Sequence, residues 1–302
     1  MAATVICAGN ATLDRIWRVA ALPKPGDKIR SLNYLEVGGG QAANAAVAAA
    51  RLGGTVKLVS AVGGDLVGKF ILDQLRTEHV DVQNVQVVAG ARSISSAILV
   101  ETSGERAIIG DVDPRLYANA APVDVGVLAG ANAVLADVKY LAAAERALTE
   151  ARRLGIPTVL DIEPAAAGHH ARLCPLADHA IFGQAGLAEY TGVNDPLQGL
   201  RIAFTRIGGP GRVVGVTLGP LGVRLLSASG EVSLLAPKVD VVDTTGAGDA
   251  FHGAYALAIG EGQDFMAAAK FASAVAALKC TKAGGRAGLP GRAEVERFMR
   301  GV

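Results

Sequence analysis

Between Val241 and Gly253 the chain reads Val-Val-Asp-Thr-Thr-Gly-Ala-Gly-Asp-Ala-Phe-His-Gly, the segment whose residue types and spacing point most directly to chemistry. Glycines at Gly246 and Gly248 let the backbone turn tightly and approach a ligand closely. A helix predicted over Ala247 to Ile259 turns its free N–H groups and the positive end of its dipole toward an anion of phosphate size. An acid at that helix start repels phosphate as a ligand, yet it is well placed to take a proton beside a transferring phosphoryl group. Asp249 is therefore the candidate general base, and the N–H groups of Gly246, Ala247 and Gly248 are the candidate stabilisers of developing charge. The plainer alternative is a Gly-rich turn whose Asp caps a helix, and for a lone Gly-x-Gly-Asp it is the better account.

Other polar positions carry weaker signals. Gly38-Gly39-Gly40 with Ala43 satisfies Gly-x-Gly-x-x-Ala, the dinucleotide fingerprint, which makes a nicotinamide-dependent oxidoreductase a formal competitor. That reading asks for an acid at the end of the next strand, but Val56 to Val62 runs into Gly63-Gly64, and Asp65 stands beyond it at a helix start. Asp14 alone reads as a solvated loop acid, Asn44 as a helix cap and Thr217 to Gly222 as a hairpin turn. Lys28, just after the Pro23-Lys-Pro-Gly26 turn, and Lys139, just after Ala136-Asp137 at the end of a predicted parallel strand, are candidate anion binders, because strand ends are where doubly wound sheets place ligands.

The elements that must position these residues alternate in type. Thr4 to Gly9 is a short apolar run ending in Gly, as a buried parallel strand would. Strands at 56–62, 133–137, 158–161 and 179–182 alternate with helices at 42–52, 65–78 and 141–154, which predicts an α/β fold with a doubly wound, mainly parallel sheet flanked by helices. Extended runs at 213–218, 222–228 and 231–236 precede helices at 247–259 and 266–279. Two exposed hairpins, within residues 12–37 and 92–112, form a small β-sheet lid, the second joined by Thr102-Ser-Gly104. With no linker or repeat, residues 1–302 are expected to form a single domain. Ile16, Trp17, Val19, Leu32 and Tyr34 place apolar groups on the lid, which predicts a homodimer made through it.

Composition narrows the partners. Hydrophobic residues make up 51% of the 302 positions and aromatics 4%, so the core is built from Ala, Val, Leu and Ile. With 29 Lys plus Arg against 28 Asp plus Glu, no basic field exists for nucleic acid or an anionic membrane. Cys7, Cys174 and Cys280 form no CxxC pair, the five His show no metal-ligand spacing, and no apolar run reaches the length of a membrane span. A soluble, reduced, cytoplasmic protein is the expectation.

In combination the motifs are more specific. Asp243-Thr-Thr-Gly-Ala-Gly-Asp249-Ala-Phe-His-Gly resembles the second signature of the ribokinase-like, or PfkB, sugar kinases. Gly39-Gly-Gln-Ala-Ala-Asn44, preceded by Gly38, resembles the first, Asn10-Ala-Thr-Leu-Asp14 the N-terminal motif, and Thr217-Leu-Gly-Pro-Leu-Gly222 the nucleotide-binding strand-turn. They occur in the family's order and cover the chain nearly end to end. The resemblance implies a ribokinase-like fold and transfer of the γ-phosphoryl of ATP to a sugar hydroxyl. It places Asp14, Gly39, Gly40 and Asn44 on the sugar and Thr217, Gly219, Gly222 and Ser273 on the nucleotide. It also implies Mg²⁺, and K⁺ or another monovalent cation near Asp243, Thr245 and carbonyls of the 276–285 segment. The family's magnesium-associated Asn-x-x-Glu is here Gly183-Gln-Ala-Gly186, so Mg²⁺ is expected to rest on ATP phosphates and waters. No Walker, HRD or DFG sequence occurs.

Within the family, Tyr34-Leu-Glu-Val-Gly-Gly-Gly40, Val134-Leu-Ala-Asp-Val138 and the stretch from Ala277 to Gly288 look most like the sulfofructose kinase branch, which phosphorylates C1 of 6-deoxy-6-sulfofructose. Asn44 stands where that branch has Thr, and Lys139 and Gly110 where it has Arg and Asn. A fructose or ribose type kinase is the alternative within the family, and a non-catalytic sugar-binding protein the alternative outside enzymes.

Overall fold

The computed structural model describes residues 2–103 and 105–301, so Gly104 of the expected Thr102-Ser-Gly104 turn lies outside the described residues. The chain begins with β1 (Thr4–Ala8), β2 (Thr12–Val19), β3 (Asn33–Gly39), α1 (Gln41–Arg51), β4 (Thr55–Gly63), α2 (Leu66–Thr77), β5 (Val85–Val88), β6 (Ser95–Glu101) and β7 (Arg106–Asp111). It continues with α3 (Pro114–Ala118), β8 (Ala133–Asp137), α4 (Leu141–Leu154), β9 (Thr158–Ile162), α5 (His169–Leu173), β10 (His179–Gly183), α6 (Gln184–Thr191) and α7 (Pro196–Ile207). The last part is β11 (Val213–Thr217), β12 (Val223–Ser227), β13 (Gly230–Leu234), α8 (Ala247–Gly260), α9 (Phe265–Cys280) and α10 (Arg292–Arg300).

Side chains alternate across a strand, and β1 shows what that does here: Val5 and Cys7 join one core with α1, α8 and α9, while Ile6 and Ala8 join another with α4 and α7. Helices thus cover both faces of a nine-stranded sheet of order β13-β12-β11-β10-β9-β8-β1-β4-β5. Pairing is parallel from β5 through β11 and antiparallel only at the β11–β12 and β12–β13 edge. The doubly wound sheet expected from the strand–helix alternation is therefore present. The C-terminal ends of β1, β8, β9, β10 and β11 lie along one rim, where such sheets place ligands.

Alanine sets the spacing of the helices on the first face. In α1, Ala42, Ala43, Ala45, Ala46, Ala48 and Ala49 are all buried, and α8 answers with Ala250, Gly253 and Ala254. A Cβ added to Gly253 would fall 2.2 Å from the Ala45 carbonyl oxygen, so the two helices meet backbone on backbone. Few aromatics and many small residues permit this approach.

The lid is a separate four-stranded sheet, β3-β2-β6-β7, in which β2 pairs antiparallel with β3 and parallel with β6. Its strands β2 and β3 leave β1 and return into α1, so Gly38-Gly39-Gly40 joins a lid strand to α1 rather than a main-sheet strand to its crossover helix. This corrects the dinucleotide reading, which needs a βαβ unit. The apolar set expected on the lid is also corrected: the two-residue period puts Ile16 on the face of Asp14, and Val19 is buried rather than exposed. Among the described residues of the lid segments, Ile29, Leu32, Tyr34, Leu35, Ile108, Ile109 and Val112 are exposed apolar side chains, with Trp17 against Tyr34 at 5.1 Å between ring centroids.

Gly253→Ala tests the helix contact. Alanine favours a helix over glycine by ~1 kcal/mol, but overpacking at backbone distance costs ~1–3 kcal/mol or more. The thermal midpoint is expected to fall by several degrees and turnover to fall with it. A midpoint at or above that of the wild type would show that α1 and α8 are not in such close contact.

Candidate active site

At the start of α8 the chain makes the turn the sequence predicts. Gly246 takes φ 75°, a left-handed conformation that glycine adopts without strain. The Thr245 N–H donates to Asp243 Oδ1 at 2.9 Å, and the Ala247 N–H donates to the Thr244 carbonyl at 3.1 Å. The Ala247 N–H is thus taken by the turn, a correction to the expected Gly246, Ala247 and Gly248 trio. Among the described residues, the N–H groups of Gly246, Gly248 and Asp249 have no acceptor and form the row open to an anion. A Cβ on Gly248 would meet nothing within 4 Å, so this part of the turn faces open space.

Asp249 stands in the first turn of α8, half-buried, with Oδ2 accepting from Asn44 Nδ2 at 2.7 Å. Burial, and then the charge of Asp161, push its carboxyl up to about 7, against the hydrogen bond from Asn44. A base in that range takes a proton from a hydroxyl at neutral pH far better than an ordinary carboxylate. His252, one turn on, is buried, with Nδ1 2.8 Å from the Gly248 carbonyl and 3.5 Å from Asp161 Oδ1.

Of the sugar residues implied by the resemblance, Asn44 bonds the Asp249 carboxyl directly, and Arg286 links Asn44 to Gly39 and lies beside Asp14. Asn44 comes from α1, which enters through Gly40 at φ 92°; a Cβ there would lie 2.6 Å from the Asn10 carbonyl oxygen. Asp14 lies on β2 opposite Ser96 of β6, accepts from Thr12 Oγ1 at 3.2 Å, and sits where a Cβ on Gly39 would fall, 2.1 Å from its Oδ2. The consecutive glycines therefore leave room for Asp14 and for the entry of α1. Burial raises the Asp14 carboxyl, against hydrogen bonds from Ser96 and Thr12 and the charge of Arg286.

Sequence reasoning missed Arg286. Its Nε donates to Asn44 Oδ1 at 2.8 Å and its Nη2 to the Gly39 carbonyl at 3.0 Å, which orients the amide so that Nδ2 points at Asp249. The side chain is buried, and burial pulls its guanidinium down to about 10. Its one available signal was an Arg within the Gly-rich stretch after α9. Asp137 was named only as part of a strand. Buried at the end of β8, it accepts the N–H groups of Asn10 at 2.8 Å and Ala42 at 3.1 Å, and so fastens the start of α1 to the sheet.

Beside α8 opens a cavity of about 660 Å³ lined by Thr217, Gly219, Gly222, Gly248, Phe251 and Ser273 among others. All four residues expected on the nucleotide lie on its wall, and Gly248 connects it to the anion row. Val239, Val241 and Ala277 make much of the wall apolar, as a flat heterocycle requires. Lys238 also lines it and was not anticipated.

The metals divide. No cluster of three or more metal-ligating side chains occurs among the described residues. The Glu163 carboxylate nevertheless fills the space beside the Gly183-Gln-Ala-Gly186 turn, since a Cβ on Gly183 would fall 2.1 Å from Glu163 Oε1. Asp161 Oδ1 nearby is buried without a hydrogen-bond partner. These hard oxygens suit Mg²⁺ and stand where the family pair is missing. For a monovalent cation the expected site does not fit. Both Asp243 carboxylate oxygens accept backbone N–H groups, from Thr245 at 2.9 Å and Gly284 at 2.8 Å, and its carbonyl accepts the Lys279 ammonium at 2.7 Å. These contacts commit Asp243 to the protein's own groups, against the expectation that it holds a metal, and leave the Thr245 carbonyl untouched. Neither candidate lysine is brought into the cradle: Lys139 Nζ donates to the Pro164 carbonyl beside Glu163, and Lys28 is exposed in the β2–β3 loop.

Residues 2–292 match the model of the pfkB family of carbohydrate kinases. The ribokinase of Bacillus subtilis is 30% identical over 309 residues, covering 96% of this chain and 97% of that protein. The ribokinase of Haemophilus influenzae is 29% identical over 305 residues, covering 99% of each. A putative ribokinase from Agrobacterium tumefaciens superposes with a TM-score of 0.94 at 37% identity, covering 100% of this chain and 98% of that one. Arabidopsis thaliana ribokinase, solved with ribose and ATP, shares the fold at a TM-score of 0.88 and 24% identity over 99% of each chain.

Asp249→Asn is expected to keep the fold and lower kcat by ~10²-fold or more, as loss of a general base does. The base works deprotonated, so kcat/KM in the wild type should rise with pH and level off above about 7, following the raised carboxyl. Rates between pH 5.5 and 8.5 check both, and a flat profile or near-wild-type turnover in the variant would remove Asp249 from the role. Gly248→Val, which projects a side chain into the open space before the N–H row, should abolish turnover in a protein that still folds.

Proposed function

The chain belongs to the pfkB family of carbohydrate kinases and is an ATP-dependent sugar kinase, and on that premise we propose that its acceptor is a neutral ribose-type sugar. The observation that carries the reading is the position of Asp249. One carboxyl, raised to about 7, meets the free N–H row of α8, the Asp14–Asn44 cradle and the mouth of the cavity. With ATP in the cavity and the sugar in the cradle, the substrate hydroxyl attacks the γ-phosphorus while Asp249 takes its proton, the bond to the β-phosphate oxygen breaks, and ADP leaves. The N–H groups of Gly246, Gly248 and Asp249 hold the charge on the γ-phosphoryl oxygens, each such donor contributing ~3 kcal/mol. Mg²⁺ bound with the nucleotide supplies charge neutralisation on the phosphates, and Glu163 with Asp161 are the carboxylates that would hold it.

A neutral sugar is favoured by the charge of the cradle. Asp137, Asp161, Glu163 and Asp249 gather on this rim and Asp14 faces Arg286 from the lid, while Arg286 gives its Nε and Nη2 to Asn44 and Gly39 and keeps a buried Nη1 without a partner among the described residues. The named relatives are ribokinases, which agrees with this choice. A ketose bearing a C6 sulfonate or phosphate is the second reading, favoured by Lys139 at the end of β8. The exposed Leu32, Tyr34, Leu35, Ile108 and Ile109 on the lid support a homodimer formed through that sheet.

A panel of D-ribose, D-fructose and C6-phosphorylated and C6-sulfonated ketoses, followed by ADP release, decides the substrate. Ribose is expected to lead in kcat/KM by tenfold or more. A lead for an anionic ketose, with Lys139→Ala raising its KM roughly tenfold and leaving neutral sugars unchanged, would favour the second reading instead. Light scattering should give twice the 30.7 kDa chain mass, and Ile109→Asp should shift it toward the monomer; a monomeric wild type at micromolar concentration would exclude the lid dimer.

A further inference from the structure

Lys279 is a buried charge that the transfer step does not use. It lies in the last turn of α9 with 0% of its surface exposed, and its Nζ donates to the Asp243 carbonyl at 2.7 Å. Lysine is almost never so buried unless something pairs with it. The groups that face it are Asp243 from the loop before α8, Asp249 from α8 and Cys280 from its own helix. Burial pulls its ammonium down, and those neighbours act against that shift. Its place at the C-terminal, negative end of the α9 dipole also favours a positive charge.

The surroundings are shaped around this side chain. A Cβ on Gly288 would lie 3.3 Å from Lys279 Cε and 2.8 Å from the Lys279 carbonyl oxygen, so glycine there leaves the lysine its room. Three carbonyls at the end of α9 are already engaged: Cys280 accepts from Val242 and Asp243, Leu278 from Thr281, and Lys279 from Lys282. Asp243 ties the two loops on either side of the α8 N-terminus, through Thr245 in one and Gly284 in the other. The ammonium closes this knot from α9.

We propose that the Lys279 ammonium is a built-in cation that holds the loop before the α8 N–H row, so that phosphoryl transfer in this kinase needs no dissociable monovalent cation. A mobile cation on the Asp243 carbonyl would sit against a like charge already bonded to that oxygen, and the fixed ammonium is present at any salt composition. Lys279 touches neither sugar nor phosphate. It is a positioning residue, acting through Asp243 and the turn at Thr244–Gly246. The proposal rests on the phosphoryl-transfer reading of that N–H row.

The test compares K⁺, Na⁺ and tetramethylammonium at equal ionic strength. Wild-type kcat with the best sugar of the panel, and the thermal midpoint of the protein alone, are expected to be the same in all three, kcat within twofold. In tetramethylammonium, Lys279→Ala and Lys279→Met should lose tenfold or more in kcat with little change in sugar KM. Ethylammonium or K⁺ should restore part of that loss in Lys279→Ala. A wild-type kcat raised tenfold or more by K⁺, or a Lys279→Met enzyme with wild-type kcat in tetramethylammonium, would overturn the proposal. Should no sugar in the panel turn over, the transfer reading fails, and the midpoint still decides the cation question: a rise specific to K⁺ in the wild type shows an ion site that Lys279 does not fill.

Discussion

The close approach of α1 and α8 is the constraint from which the site follows. Gly253 lies against the Ala45 carbonyl, and one turn before Gly253 and one residue before Ala45 the helices present Asp249 and Asn44 to one another. Asn44 belongs to the sugar side, entered from the lid through Gly40, and Asp249 to the phosphate side, entered through the Gly246 turn. If larger residues held the helices a few ångströms further apart, no hydrogen bond could join the two halves, and the base would be separated from the hydroxyl it must deprotonate. The alanine content of both helices therefore has a chemical consequence as well as a packing one.

Electrostatics supplies the second half of the design. Several carboxylates gather along the C-terminal rim of the sheet, and burial, then the charge of Asp161, raises Asp249 into the range of a working base. Such a concentration of acids must be offset if the fold is to survive it. Asp137 is held by four backbone N–H groups, Arg286 lies beside Asp14 and Asn44, and Lys279 bonds to the loop before the anion row. The positive groups are buried and bonded to protein partners, Nη1 of Arg286 excepted, and so steady the site from within.

Much of the fold was legible because its signals are local. Parallel strands appear as short apolar runs, α4 ends at the expected Gly155, and the lid hairpins show their turn residues. The cradle was legible in part, because Asp14, Asn44 and Asp249 sit in motifs whose spacing is itself informative. Arg286 was not, since nothing in a linear reading shows that its guanidinium crosses to the amide of Asn44, a contact spanning 242 positions. The same limit hid Glu163, which follows the end of β9 and which the β9–β10 register brings beside the glycine turn that lacks the expected pair.

The sequence by itself determined the element order, the glycines that permit close backbone approach, and the acid at the head of α8, because propensity and turn chemistry act over a few residues. Only the tertiary structure decided which charges meet. It set the working range of Asp249 through its burial beside Asp161, turned Lys139 toward Pro164, and filled the expected cation position at Asp243 with the ammonium of Lys279. Desolvation and Coulomb interaction depend on distances between side chains far apart in the chain, and packing alone sets those distances.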